Sequence, residues 1–306
     1  MARLFTFGCS YTSYCWPTYA NILSLDYENK DGNWAMAGLG NRAIAERIAE
    51  AHCKHNFTKD DIIIVQWSSH IRHDWWHQET MLDRTIGWKT YGSIFNYHNV
   101  KVFDKKWVNT FFYEPAYMMH TFNHIKLAQS LLESTGCTWY MASIGDVRNM
   151  GSDIRQANSQ KYGELTDLVK TVDKPGFSAY NIVPELEIYN KPIWEDHADK
   201  WLTPLELFCQ GNDQLTFMFR DSQGKPWLDL HPTPRQHVMW LEQCLRDKLS
   251  ISDNAISIGY EIAKHAEDVH YKYKTNFDAF QFAIAKKEKY PEGAQSLVWP
   301  GIPQGF

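Results

Sequence analysis

Apolar positions along the chain fall into two alternating periods. Residues 3–7, Arg-Leu-Phe-Thr-Phe, predict a short strand. It runs into Gly8-Cys9-Ser10-Tyr11-Thr12, whose first residues are small enough for a tight strand-to-helix turn. Tyr19, Ile22 and Leu23 then fall at helical spacing. Asn33-Trp34-Ala35-Met36-Ala37 predicts a second strand, followed by Gly38-Leu39-Gly40-Asn41. Asn41 is the expected N-cap of a helix to about His52, with Ala43, Ile44, Ile48 and Ala49 facing inward. Ile62-Ile63-Ile64-Val65-Gln66-Trp67 has the continuous β-branched character of a central parallel strand covered on both faces. A helix from about Pro115 to Ser134, with Leu127, Leu131 and Leu132 as its apolar stripe, precedes Gly136 and a fourth strand over 138–144. This alternation predicts a three-layer α/β/α sandwich around a mostly parallel sheet.

Two stretches interrupt the pattern. Residues 73–117 are aromatic-rich and irregular, and residues 146–225 are polar and punctuated by Pro and Gly, with helical patches near 161–172 and 198–208. The second stretch is too long for a simple connection, so both are expected to form insertions acting as a lid or cap. After Leu228-Asp229-Leu230-His231-Pro232, a helix is expected over about 234–249, with Val238, Leu241 and Leu245 on one face. Amphipathic helices over 256–273 and 277–289 follow. The expected organisation is an α/β domain over 1–249 and a helical extension over 250–306.

Composition narrows the function. The 306 residues fit one α/β domain with insertions as well as two domains, and 44% hydrophobic with 22% charged residues exclude a disordered or collagen-like chain. Lys+Arg 31 against Asp+Glu 36 leaves a net charge of -5, which disfavours general nucleic-acid binding. No apolar run approaches the ~18 residues of a membrane span. The start of the chain lacks the long apolar core of a signal peptide, so synthesis in the cytoplasm without one is expected. The six cysteines form no CxxC pair and read as buried reduced thiols. No GxGxxG or GxxxxGK[ST] stretch occurs, so no nucleotide cofactor is expected. His70, His73 and His77 with Asp74 raise the question of a metal, positions 73 and 77 sharing a face if helical. Neither a cysteine pair nor HExxH accompanies them, and no metal is expected. Aromatic residues reach 15%, with Trp 13, Tyr 16 and Phe 16. That is more than a core absorbs, and flat ring faces suit sugars.

Ser10 is the strongest candidate for chemistry. It follows a strand, at the carboxyl edge where open α/β sheets bind ligands. Turn N–H groups and the start of the next helix can favour an oxyanion there. By residue type alone Ser10 fits a helix N-cap as well as a nucleophile, and it needs a base. Asp229-Leu230-His231 supplies a carboxylate two residues from an imidazole, able to orient the ring and stabilise its cation. Alone, His231 also fits a structural loop histidine. His237 reads as a helix-start residue.

Together these blocks resemble the SGNH/GDSL hydrolase family, in which Ser, Gly, Asn and His recur in separated segments. Phe7-Gly8-Cys9-Ser10-Tyr11-Thr12 resembles the family's FGDSxT block and implies Ser10 as nucleophile. Asn33-(x4)-Gly38 resembles the second block, implying that Gly38 lends an N–H to the oxyanion hole beside that of Ser10. Asp229-Leu230-His231-Pro232 resembles the last block, implying His231 as base and Asp229 as its orienter. The chain departs from the pattern at Cys9, where the family usually has Asp, and in a D-x-H spacing in place of D-x-x-H. The third block's Asn is missing: Ser68-Ser69-His70-Ile71-Arg72 puts Ser69 or His70 in its place. Arg72, with five donors, can serve the substrate instead, or can pair with Asp74. Trp75 and Trp76 are read either as a substrate platform or as lid packing.

The resemblance implies a serine esterase or acyl hydrolase without cofactor, acting on a small-molecule or glycan ester. The aromatic surplus favours an O-acetylated carbohydrate over a long acyl chain. The blocks are also similar to those of bacteriophage-encoded members. That leaves two alternatives: a noncatalytic carbohydrate-binding or virion-associated protein, and an O-acyltransferase using the same triad.

Overall fold

A computed structural model describes residues 2–28, 32–81, 84–93, 105–112, 114–145 and 196–286. For 75–81, 84–93, 105, 108, 109, 114 and 115 it describes the backbone alone. The expected helical patch at 161–172 and the end of the expected helix 277–289 lie outside the described residues.

In chain order come β1 (Leu4–Phe7), α1 (Tyr19–Leu23), α2 (Asn41–His55), β2 (Ile62–Trp67), β3 (Arg72–Met81), β4 (Arg84–Ser93), α3 (Lys105–Phe111), α4 (Glu114–Thr135) and β5 (Thr138–Ser143). After them come a 3-10 turn at Ala198–Lys200, α5 (Leu205–Gln210), a second such turn at Asp213–Leu215, β6 (Met218–Arg220), β7 (Pro226–Leu228), α6 (Pro234–Trp240), α7 (Asp253–Tyr273) and α8 (Phe277–Ala285). The chain is therefore mixed α/β. Its parallel sheet has the order β1-β2-β5, in the register Phe5↔Ile63 and Ile63↔Trp139.

Every residue of β1 and β2 is buried, which accounts for their lack of a polar alternation. The expected strand at 33–37 is a looser companion of β1. Thr6 N donates to Gly32 O at 2.8 Å, Trp34 N to Thr6 O at 2.8 Å, and Met36 N to Gly8 O at 3.2 Å. Only Thr6↔Asn33 forms a bridge there. On the opposite edge Leu202 N donates to Met141 O at 2.8 Å. Two irregular segments thus extend the sheet.

Several expectations are corrected. The N-cap of α2 is Gly40, not Asn41. The Asp74 carboxylate takes over the capping, accepting from Gly40 N at 2.7 Å and Ala43 N at 3.1 Å, where a helix start favours negative charge. Asn41 is thereby released to hold another loop. Ala49 is exposed, and the buried stripe of α2 runs through Asn41, Ala43, Ile44, Ile48 and Ala51. On α4, Leu127 is exposed, and Met118, Phe122, Ile125, Ala128 and Leu132 face the core. The segment from 73, expected to be irregular, begins as the antiparallel hairpin β3–β4, with Trp75↔Lys89 and Trp76↔Trp88 opposed. His73 and His77 therefore share no helical face. Four residues along a strand span about 13 Å.

The helix begun by α6 stops at Trp240 and continues as a π turn over Leu241–Leu245. α7 packs against α6 and α1, and Gly259 allows the close approach: a Cβ there would lie 2.8 Å from Val238 Cγ2. A second core gathers Cys15, Trp16, Phe217, Phe219, Ala266, Val269, Phe280 and Ile284. It joins the C-terminal helices to the segment just beyond Ser10. Among the described residues, no helix is long and apolar enough to cross a membrane.

Candidate active site

The turn after β1 depends on Gly8. A Cβ there would sit 2.3 Å from Thr12 Oγ1 and 3.0 Å from Gln66 Cβ, so no side chain fits. Cys9, fully buried in the main core, closes the turn with its carbonyl, which accepts from Thr12 N at 3.0 Å and Ser13 N at 3.1 Å. Ser10 is no helix cap. The next helix starts at Tyr19 with Thr18 as its N-cap, so an anion at Ser10 would meet turn N–H groups and not a helix terminus. Thr18 Oγ1 donates to Thr12 O at 2.7 Å, tying that helix to the turn.

Far along the chain, β7 delivers Asp229 and His231 to the same place. Asp229 N donates to Phe217 O at 3.0 Å. Two residues past His231, Thr233 caps α6 in a reciprocal box with Gln236, with Pro234 at the first helical position. The histidine is thus held between a strand end and a helix start.

These elements bring Ser10, His231 and Asp229 together. Ser10 Oγ is 2.9 Å from His231 Nε2, and His231 Nδ1 is 2.6 Å from Asp229 Oδ1. A carboxylate only accepts, so Nδ1 carries the proton and Nε2 is free to take that of Ser10. Ser10 is 5% exposed and Asp229 3%, while the His231 side chain keeps 29%. The orienting charge is buried, and the imidazole can still be reached.

The short D-x-H spacing closes in a specific way. Asp229 Oδ1 accepts from both the His231 backbone N, at 3.0 Å, and Nδ1, so loop and ring fold back on one oxygen. Tyr14 OH donates to Oδ2 at 2.9 Å. The Tyr14 ring also stacks on the imidazole, with centroids 3.8 Å apart and planes 20° from parallel. Burial first, then the Asp229 charge, pushes the Tyr14 phenol far above its ordinary range, so it remains a donor.

Neighbouring residues repeat the docking. Tyr11 OH donates to Leu230 O at 3.1 Å, and Trp16 Nε1 to Pro232 O at 2.9 Å. Sequence reasoning missed all three aromatics, although their density directly after Ser10 was the available signal. His237 is no second base. Burial, then the proximity of His231, pushes it down to about 3.

Gly38, at φ +85, occupies the left-handed region that glycine tolerates. It lies two residues past Met36, which pairs with Gly8, and Ser10 lies two residues past Gly8. Gly38 and Ser10 therefore leave adjacent parallel segments at the same edge. The 68–72 segment is braced from α2: Asn41 Oδ1 accepts from Ser68 N at 2.7 Å, and Asn41 Nδ2 donates to Ser68 O at 3.0 Å.

Ser69 Oγ accepts from Ile71 N at 3.4 Å, and His70 follows in the same turn, half-buried. Arg72 Nη1 donates to Leu39 O at 2.9 Å, while Asp74 serves α2. Arg72 thus ties the Gly38 loop to β3. The side chains of Trp75 and Trp76 lie outside the described residues. His73 Nδ1 is 2.8 Å from Tyr117 OH, within an aromatic cluster that includes Trp107. Among the described residues, no three His, Cys, Asp or Glu groups are arranged to hold a metal. No protein-family model, curated protein or solved structure matches the chain.

Proposed function

We propose that this chain is a serine esterase or acyl hydrolase of SGNH/GDSL type, built on a three-layer α/β/α sandwich. The observation that carries the reading is the continuous relay Ser10 Oγ to His231 Nε2 and His231 Nδ1 to Asp229, assembled from residues more than two hundred positions apart. A merely structural serine and histidine need no such alignment with a buried carboxylate. His231 Nε2 takes the proton as Ser10 Oγ bonds to the ester carbonyl carbon. The tetrahedral oxyanion accepts from Ser10 N and Gly38 N, with a donor from 69–72 completing the hole in place of Asn. Collapse expels the alcohol, which takes the proton from His231. Water, deprotonated in turn by His231, then releases the acid and restores Ser10.

The substrate proposed is an ester on a carbohydrate, with an O-acetyl group preferred over a long acyl chain. The test is labelling of Ser10 by a fluorophosphonate probe, together with hydrolysis of p-nitrophenyl acetate and of O-acetylated sugars. Ser10→Ala should abolish labelling and reduce turnover to background. Wild-type turnover by Ser10→Ala would sink the reading. Saturable glycan binding without turnover would select a binding protein on the same fold, and transfer of the acyl group to a sugar hydroxyl would select the transferase.

A further inference from the structure

Resting on that reading, we propose that Tyr14 is a positioning residue of the site, holding the Asp229 carboxylate by its hydroxyl and the His231 ring by its face. Both contacts come from one side chain: 2.9 Å from its OH to Asp229 Oδ2, and a stacked imidazole at 3.8 Å. The short D-x-H spacing gives it this role. Asp229 Oδ1 is committed twice to His231, through N and Nδ1, so among the described residues the carboxylate is steadied from the far side through Oδ2 and Tyr14. Without a donor on Oδ2, rotation of the carboxylate carries Oδ1 away from Nδ1.

Tyr14 is itself held from behind. Its ring meets Trp16 edge-on at 4.5 Å, and Trp16 meets Phe217 at 5.6 Å and Phe280 at 5.9 Å. The second core thus supports the ring that steadies the site.

The two contacts act on the imidazolium in opposite directions. The hydroxyl draws negative charge from Asp229, and its removal leaves a carboxylate that favours His231 cation more strongly. The ring face favours the cation directly, and its removal disfavours it. Among the described residues, the titratable groups around His231 are Ser10, Asp229, Tyr11, Tyr14 and, behind it, His237; those around Tyr14 are His231, Asp229, Cys15 and Tyr11. Burial keeps Tyr11 and Tyr14 protonated and His237 neutral across the working range, so a shift in the acid limb reports on His231.

The experiment compares wild type, Tyr14→Phe and Tyr14→Leu by pH–rate profile and by the low-field proton resonance of His231 Nδ1–H. Melting curves confirm that each variant is folded. Tyr14→Phe should lower kcat/KM by roughly 10-fold. It should also move the acid limb to higher pH by about half a unit to one unit. Tyr14→Leu, which loses both contacts, should bring the limb back from its Tyr14→Phe position toward lower pH, with a larger loss in kcat, and broaden the resonance. An unchanged profile and resonance in Tyr14→Phe would reduce Tyr14 to packing and overturn the inference. If wild type labels with no fluorophosphonate and turns over no ester, the hydrolase reading fails, while the resonance alone still decides whether Tyr14 orders the pair.

Discussion

Asp229 is an ionisable group at 3% exposure whose two oxygens accept from His231 N and Nδ1 and from Tyr14 OH. An amide in its place keeps the shape but turns one of the two acceptors into a donor and removes the charge. Asp229→Asn should therefore leave the melting temperature near wild type while kcat falls ~10³–10⁴-fold, because the wrong imidazole tautomer is then favoured. Steady-state kinetics on an activated ester checks this. His237 makes a different prediction. Its ordinary value of 6.5 is pushed down to about 3 in the fold, so folding favours the neutral ring and the unfolded chain binds the proton first. Its stabilising effect is complete above 6.5 and is lost progressively as pH falls toward 3. Urea denaturation should show lower stability at about pH 5.5 than at about pH 7.5, by on the order of 1 kcal/mol from this group, and His237→Phe should remove that difference. At this scale Ser10 is legible in the sequence because it lies at an expected strand end, and Asp229 and His231 because they share one short block just before an expected helix. Tyr14 is not, because its contact with Asp229 spans 215 positions and no local rule links them.

At the scale of elements, the loops around the site are braced by side chains that the linear pattern assigns elsewhere. Asn41 looks like a cap by residue type, yet Asp74 does the capping and Asn41 binds both backbone groups of Ser68. Asn41→Ala should cost ~1–3 kcal/mol, since it leaves buried backbone groups unpaired. It should also raise KM or lower kcat by disturbing the 68–72 turn, as chemical denaturation and kinetics would show. Asp74→Ala removes the acceptor for Gly40 and Ala43 and should destabilise by about 1–2 kcal/mol, read in the same denaturation. The hairpin β3–β4 was hidden for a definite reason: register shifts between Arg72 and Asp74 and between Trp76 and Glu79 interrupt the alternation of period two that marks a strand. The parallel strands were legible because burial on every side leaves an uninterrupted apolar run.

Across the whole molecule, the C-terminal helices are tied to the candidate site through Trp16. Phe280 of α8 packs edge-on to Trp16, which donates to Pro232 O and backs Tyr14. Phe280→Ala should therefore cost ~3–5 kcal/mol of stability by leaving a cavity in the second core. It should also lower ester turnover, although α8 donates nothing directly to Ser10 or His231 among the described hydrogen bonds. Calorimetry and kinetics on the same preparation test both effects. Full activity in a strongly destabilised variant would separate the helices from the site.

By itself, the sequence determined the buried parallel strands and the long helices α2, α4 and α7, the glycine-requiring turn before Ser10, and the candidate roles of Ser10, Asp229 and His231. These depend on neighbours along the chain, where periodicity and short motifs act. Tertiary structure decided which groups hold those residues: Tyr14 on Asp229, Asn41 on Ser68, Asp74 on α2 and Trp16 on Pro232. Each is a long-range hydrogen bond made or lost by fractions of an ångström, and such precision arises only when the sheet and helices have packed.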